Sequence, residues 1–192
     1  MDVRAGKYVL PILNTAIRPR RKIIMEGKMI NRELIPSQTS KGSMSVPRRL
    51  QAFNKSQYFG VLATNDKGQP YTSLISFAMT PDLKKVIFAT PQATRKFKNI
   101  VNTKKVSILI DSRSNLRKNL LATEAITIMG SARYVPRGKT RNELAAIFLK
   151  KHPDLEQFVQ ADTTALIAVK ATRCIHVGKF QTISVWDCNA DA

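Results

Sequence analysis

The residues best placed to do chemistry in this 192-residue chain lie in one stretch, FATPQATRKFKNI, Phe88 to Ile100. An apolar run ends on Thr90 and Pro91, and Thr94, Arg95 and Lys96 follow within the first turns of what reads as a helix. Threonine is a good N-cap and proline suits the first helical position, so Thr90 and Pro91 predict a helix starting directly after the strand VIFA. A helix start leaves backbone N–H groups unsatisfied and carries the positive end of the dipole. An anion there gains hydrogen bonds and favourable electrostatics together. The Thr94 hydroxyl, Arg95 guanidinium and Lys96 ammonium would complete a phosphate-sized set of donors. The alternative is a capped surface helix with a basic face, in which Arg95 and Lys96 oppose the dipole.

Other reactive side chains are few. His152, in KKHPD, has the ordinary pKa of an acid–base group, but a histidine just ahead of Pro153 reads as a partner for the last helical carbonyls. His176 sits in an alternating strand and reads as a solvent-facing or dimer-facing residue in preference to a haem ligand. Cys174 and Cys188 read as free thiols in a reducing compartment. With two histidines and no paired cysteine ligands, no metal site is expected. Neither a Gly-rich dinucleotide loop nor a P-loop is present. No side chain stands out as a proton-transferring catalyst, so the catalytic residues are left unassigned.

Thirty-two Lys and Arg against 13 Asp and Glu give a net charge of +19. Such a charge bears on partners and solubility, not on fold. It predicts non-specific attraction to nucleic acid at low salt. With aromatics at 7% and no reading motif, nucleic-acid binding is not the expected function. Charged residues interrupt every apolar segment, which argues against a membrane span and for a cytoplasmic protein. The start lacks the pattern of a secretory signal. Arg4, Lys7, Arg18, Arg20, Arg21 and Lys22 faintly suggest a transit peptide, or an extension ahead of an original start at Met29 or Met44.

These side chains need a frame. Residues 1–45 hold scattered basic residues, three prolines and no hydrophobic period, and read as a flexible basic extension. The domain spans 46–192. It opens with a short helix in which Ser45 can cap, Pro47 suits the first turn, and Leu50 and Phe53 share a face. YFGVLATNDKGQPYTSLISFAMT reads as a hairpin turning at Gly68. KVIFAT, KKVSILID and EAITIMGSARYVP read as strands, the last with Ile126, Ile128 and Ser131 alternating against Thr127 and Met129. Thr140 and Glu143 suggest a capping box on a helix facing inward through Leu144, Ile147 and Phe148 and ending at Pro153. TTALIAVKATRCIHVGKFQTISVWD supplies two or three further strands, the last pair joined near Gly178. The expected fold is a mainly β, Greek-key type, antiparallel split barrel of six or seven strands with two or three peripheral helices.

From Tyr58 to Trp186 the chain resembles the FMN-binding split-barrel proteins related to pyridoxamine 5′-phosphate oxidase. The resemblance rests on FGVLATNDKGQPYTSLISFA, IFATPQATRKFKNIVNTKKVSILIDSRSN, KKHPDLEQFV and VGKFQTISVW, in that order. It implies a homodimer with FMN in grooves between subunits. Thr94, Arg95 and Lys96 match the Ser/Thr-Arg-Lys element that holds the FMN phosphate, and Thr90 matches the threonine before it. Thr72, Ser73, Leu74 and Ile75, with Ser76, match the segment whose backbone lines the flavin ring. Asn115 and Gln181 are candidates for the ring or ribityl chain, Gln181 from the partner subunit. Ser73 and Ala78 stand where the oxidase has an arginine and a lysine, and its C-terminal vitamin-phosphate segment has no counterpart. The resemblance therefore implies a flavin-dependent oxidoreductase acting on another small molecule, with any nicotinamide donor meeting the flavin face. The alternatives are a non-catalytic flavin or haem carrier or sensor, or a basic nucleic-acid-associated protein.

Overall fold

The computed structural model describes residues 44–113, 122–178 and 182–189. The extension assigned to 1–45 lies outside them except for its last two positions, as do the candidates Asn115 and Gln181. Helix α1 (Val46–Ser56) carries Pro47 in its first turn and buries Val46, Leu50 and Phe53. Strands β1 (Phe59–Asp66) and β2 (Gln69–Ser76) pair from Phe59↔Ser76 to Asp66↔Gln69. Their two-residue turn has positive φ at both Lys67 (51°) and Gly68 (96°). That conformation matches the strands' right-handed twist, and the Asn65 Oδ1 accepts the Gly68 N–H at 2.7 Å.

Then follow β3 (Ala78–Met79), β4 (Lys85–Pro91), α2 (Arg95–Asn102), β5 (Lys105–Asp111) and β6 (Ala125–Val135). Helix α3 (Lys139–Lys151), a 3-10 turn at Pro153–Leu155, α4 (Glu156–Gln160), β7 (Thr164–Gly178) and β8 (Thr182–Asp187) complete the order. All pairings are antiparallel, and the strand order is β2-β1-β5-β6-β7-β4-β3 with β8 also on β7. The sheet curls into the half-barrel of a split barrel. Among the described residues eight strands form it, counting the two-residue β3, with four α-helices around it.

Strand β7 is one strand of 15 residues that changes partner along one edge. Lys85–Pro91 pair with Thr164–Lys170, and β8 pairs with Arg173–Gly178. At the changeover Met129 faces Arg173 and Gly130 faces Ala171, so Thr172 has no opposite. This extra residue is a β-bulge. Its hydroxyl donates to the Met129 carbonyl at 3.1 Å and its carbonyl accepts the Cys188 N–H. Ahead of the bulge Ala165, Ile167, Val169 and Ala171 point inward, and after it Cys174 and His176 do. Gly130 faces the kink because a Cβ there would lie 2.4 Å from the Lys170 carbonyl oxygen.

The core inside the curl is built from Leu50, Leu62, Phe77, Phe88, Ile108, Ile128 and their neighbours. Outside, α3 lays Leu144, Ala145 and Phe148 on Ile87, Val135 and Leu166. The capping box expected at Thr140 and Glu143 is not formed. Gly138, at φ 143°, is the N-cap, and Thr140 lies within the helix. Only a glycine takes that φ readily as the chain reverses out of β6. Pro153 follows the end of α3 as expected.

Two histidine expectations are corrected. His152 reaches across to the Phe77 carbonyl with Nε2 at 2.8 Å, packed against the rings of Tyr58 and Phe148, instead of bonding its own helix. Burial pushes its pKa down. His176 is 2% exposed, neither solvent-facing nor dimer-facing. Its Nε2 lies 3.3 Å from Glu124, which also accepts two bonds from Arg49. Burial and the Arg49 charge push His176 down against the pull of Glu124. Burial alone would raise the Glu124 carboxyl, but Arg49 brings it below the usual range. Cys174 and Cys188 are free and buried with sulfurs 3.7 Å apart, and burial pushes both thiols up.

Candidate functional site

The chain leaves β4 later than the threonine–proline pair suggests. Pro91 still pairs with Thr164, and the Gln92 N–H bonds the Thr163 carbonyl. The N-cap of α2 is Thr94, and Arg95 is the first helical residue. Proline needs no ladder donor where a strand is running out, so Pro91 ends β4 instead of starting α2. The correction moves the cations closer to the helix start, with Arg95 and Lys96 as its first two residues.

The cap is a hydroxyl relay. Thr94 Oγ1 donates to the Pro91 carbonyl at 2.8 Å and accepts the Phe97 N–H at 3.4 Å. The buried Thr90 hydroxyl lies 3.0 Å from Thr94 Oγ1. The Thr94 carbonyl takes the Lys98 N–H, which leaves the N–H groups of Arg95 and Lys96 as the open donors of this turn. No acidic residue lies in the first turn of α2.

Arg95 also ties α2 to the β1–β2 hairpin. Its guanidinium lies 5.0 Å from the centre of the Tyr71 ring and 3.0 Å from Asp66 Oδ2. Below it, the Asn99 amide donates to Thr64 Oγ1 at 3.0 Å, and Thr64 donates to the Tyr71 carbonyl. Tyr71 and Asp66 were not among the sequence candidates. Only the register across the hairpin brings them to Arg95, and nothing in their local sequence marks that meeting.

Strand β2 ends the sheet path, so backbone groups on its side away from β1 are unpaired with a strand. Among Thr72, Ser73, Leu74 and Ile75 the side chains divide. Ile75 is buried in the core, whereas Leu74 is 64% exposed. Ser73 Oγ is buried with no hydrogen-bond partner. The structure thus brings Thr90, Thr94, Arg95 and Lys96 to one helix start and joins it through Tyr71 to the strand holding Thr72–Ile75. A phosphate fits the open donors and cations, and a planar ring system fits an edge strand offering backbone groups.

An antiparallel split barrel with an open, basic helix start beside an edge strand defines the class. The chain belongs to the pyridoxamine 5′-phosphate oxidase family, whose sequence pattern matches residues 46–178. No curated protein matches the chain by sequence. Among solved structures, a haem-binding protein from Mycobacterium smegmatis superposes with a TM-score of 0.68 at 18% identity, over 77% of this chain and 60% of that one. HutZ, the haem storage protein from Vibrio cholerae, gives 0.59 at 19% identity, over 67% and 91%. An FAD-binding protein from Mesorhizobium loti gives 0.53 at 15% identity, over 69% and 94%. At these identities the likeness is one of fold. This chain spans about three fifths of the length of the mycobacterial protein. No helix among the described residues is long and apolar enough to cross a membrane.

Proposed function

We propose that the protein is a homodimeric FMN-binding flavoprotein of the cytoplasm that carries out flavin redox chemistry on a small molecule other than pyridoxamine phosphate. The observation that carries this reading is the start of α2, where two cations and two open N–H groups meet without an acid in the first turn. Family membership makes the FMN phosphate the natural anion for that place. Arg95 and Lys96 would balance its charge, the Thr94 cap would order the turn, and β2 would offer backbone groups to the ring. FMN, when bound, supplies hydride or single-electron transfer, with a nicotinamide as the natural donor. Ser73 stands where the oxidase has an arginine for the FMN phosphate, which leaves more of that charge to Arg95 and Lys96.

The dimer is supported by the outward face of the sheet. Register aligns Leu74, Val61, Leu109, Thr127, Ile175 and Val185 in one row across six strands. Phe59, Leu74, Met129, Val177 and Val185 are exposed there. An apolar face of this extent is characteristic of a subunit interface. The test is titration of purified protein with FMN alongside light scattering. Quenched flavin fluorescence at one FMN per chain in a dimer is expected, followed by bleaching of the bound flavin by NADH or NADPH. A monomer with no flavin response would refute the reading, and binding without bleaching would favour a carrier.

Asp66 refines the proposal. Its pair with Arg95 is largely exposed, and such pairs contribute about 0–1 kcal/mol. A phosphate must share Arg95 with it. Asp66→Asn should therefore tighten FMN binding about two- to fivefold, and weaker binding measured by fluorescence quenching would show that Asp66 positions Arg95 instead.

The haem-protein neighbours favour a second reading, a haem carrier. The chain's only two histidines are both buried, with Nε2 facing Phe77 and Glu124 respectively, so haem iron would need another ligand or a rearrangement. A Soret band on adding haem, unaltered by His152→Ala or His176→Ala, would support that reading.

A further inference from the structure

On the outer surface, between the sheet and the first turn of α3, lies a cavity of about 600 Å³. That volume is typical of small-molecule sites. None of the described cofactor candidates lines it. Its floor is a grid set by strand register. Lys85, Lys170 and Ser131 form one row across β4, β7 and β6, and Ile87, Ala168 and Arg133 form the next. Lys85 and Lys170 therefore face each other directly, with Arg133 diagonal to Lys170. Like charges opposite each other destabilise a sheet, and nothing in the core requires them here.

Arg137 and Lys139, beside the cap glycine of α3, bring the lining to five cations with no carboxylate among its described residues. Arg137 is held by Asp162 and the Gln160 carbonyl. Asp82 lies within electrostatic reach of Lys85 but is engaged by the Thr80 hydroxyl and the Lys84 N–H. Most of the remaining lining is apolar, from Val135, Pro136, Leu144 and Ala168. Cations gathered beside an apolar hollow suit a ligand with several negative charges on an apolar or aromatic body.

We infer that this cavity is a second ligand site, separate from the start of α2, for a phosphorylated small molecule of the nucleoside polyphosphate class. Phosphates would lie along Lys85, Lys170 and Arg133 and relieve their repulsion, while the base or other apolar body rests against Val135, Leu144 and Ala168.

The test uses the full chain and calorimetry with ATP, inorganic tripolyphosphate and a short oligothymidylate. ATP should bind saturably at one site. Lys85→Ala/Lys170→Ala should weaken it roughly tenfold, the sum expected of two partly solvated charge contacts. Ala168→Leu, which fills the floor without altering charge, should also weaken it. Lys55→Ala/Lys98→Ala, removing equal charge elsewhere, should not, and neither should Arg95→Ala/Lys96→Ala. Thermal unfolding verifies that each variant is folded. Absence of ATP binding, or equal weakening by the Lys55 and Lys98 pair, would overturn the site in favour of a diffuse basic field. Loss carried by Arg95 and Lys96 would place ATP at α2 instead. Tripolyphosphate binding as tightly as ATP would remove the role of the apolar floor, and tighter binding of the oligothymidylate per phosphate would assign the surface to nucleic acid. These outcomes are independent of FMN binding, so either proposal can fail alone.

Discussion

Arg95→Ala/Lys96→Ala should weaken FMN binding about 100-fold while changing riboflavin binding less than about threefold. Hydrogen bonds to charged groups contribute about 1.5–3 kcal/mol each. Both side chains retain solvent contact, so the lower end applies, and two such contacts amount to about 3 kcal/mol, or two decades of affinity. Riboflavin lacks the phosphate and should not register the loss. The ratio of the two affinities, read from flavin fluorescence, is the diagnostic quantity. A common loss on both ligands would mean that Arg95 acts through Tyr71 and Asp66, by holding the hairpin against α2, and that the phosphate lies elsewhere.

Gly130→Ala is expected to be the most damaging single methyl group. Its Cβ would meet the Lys170 carbonyl oxygen at 2.4 Å and Val169 Cγ1 at 2.9 Å. The nearer obstacle is backbone, which cannot swing aside as a side chain can. Overpacking of this kind costs about 1–3 kcal/mol, and displacing β7 at its bulge places the cost at the upper end. A domain of this size should then melt roughly 6–12 °C lower. Gly68→Ala provides the contrast. It carries only backbone strain of about 1 kcal/mol, because nothing lies within 4 Å of its new methyl group. Equal melting temperatures for the two variants would mean that β6 and β7 separate freely at the bulge.

What was legible in the sequence were features whose causes are local. The β1–β2 turn is set by residues within four positions of each other, and the inward faces of α1 and α3 follow from helical spacing. The start of α2 was misplaced because Thr90-Pro91 and Thr94-Arg95 are both credible helix starts. Strand pairing of Pro91 with Thr164, 73 positions away, decides between them. His176 was misread for a related reason. An alternating strand shows which residues share a face, but the extra residue at Thr172 exchanges the faces midway, and Glu124 lies 52 positions away. The cations at the start of α2 were visible in the sequence, whereas Asp66 and Tyr71, which engage one of them, were not.

The bulge at Thr172 also marks where this strand can change length. A descendant of this protein lacking that one residue could keep every other amino acid unchanged. Arg173 would then follow Ala171 directly, and Cys174 and His176 would still face inward with Ile175 and Val177 outward, because the residue lost is the one with no opposite. The apolar row across the sheet and the contact of His176 with Glu124 would be kept, and the kink would be lost together with the bonds of Thr172 to Met129 and Cys188. Relatives should therefore differ in length between Lys170 and Cys174 more readily than elsewhere in β7, where deletion of one paired residue moves the side chains beyond it to the opposite face.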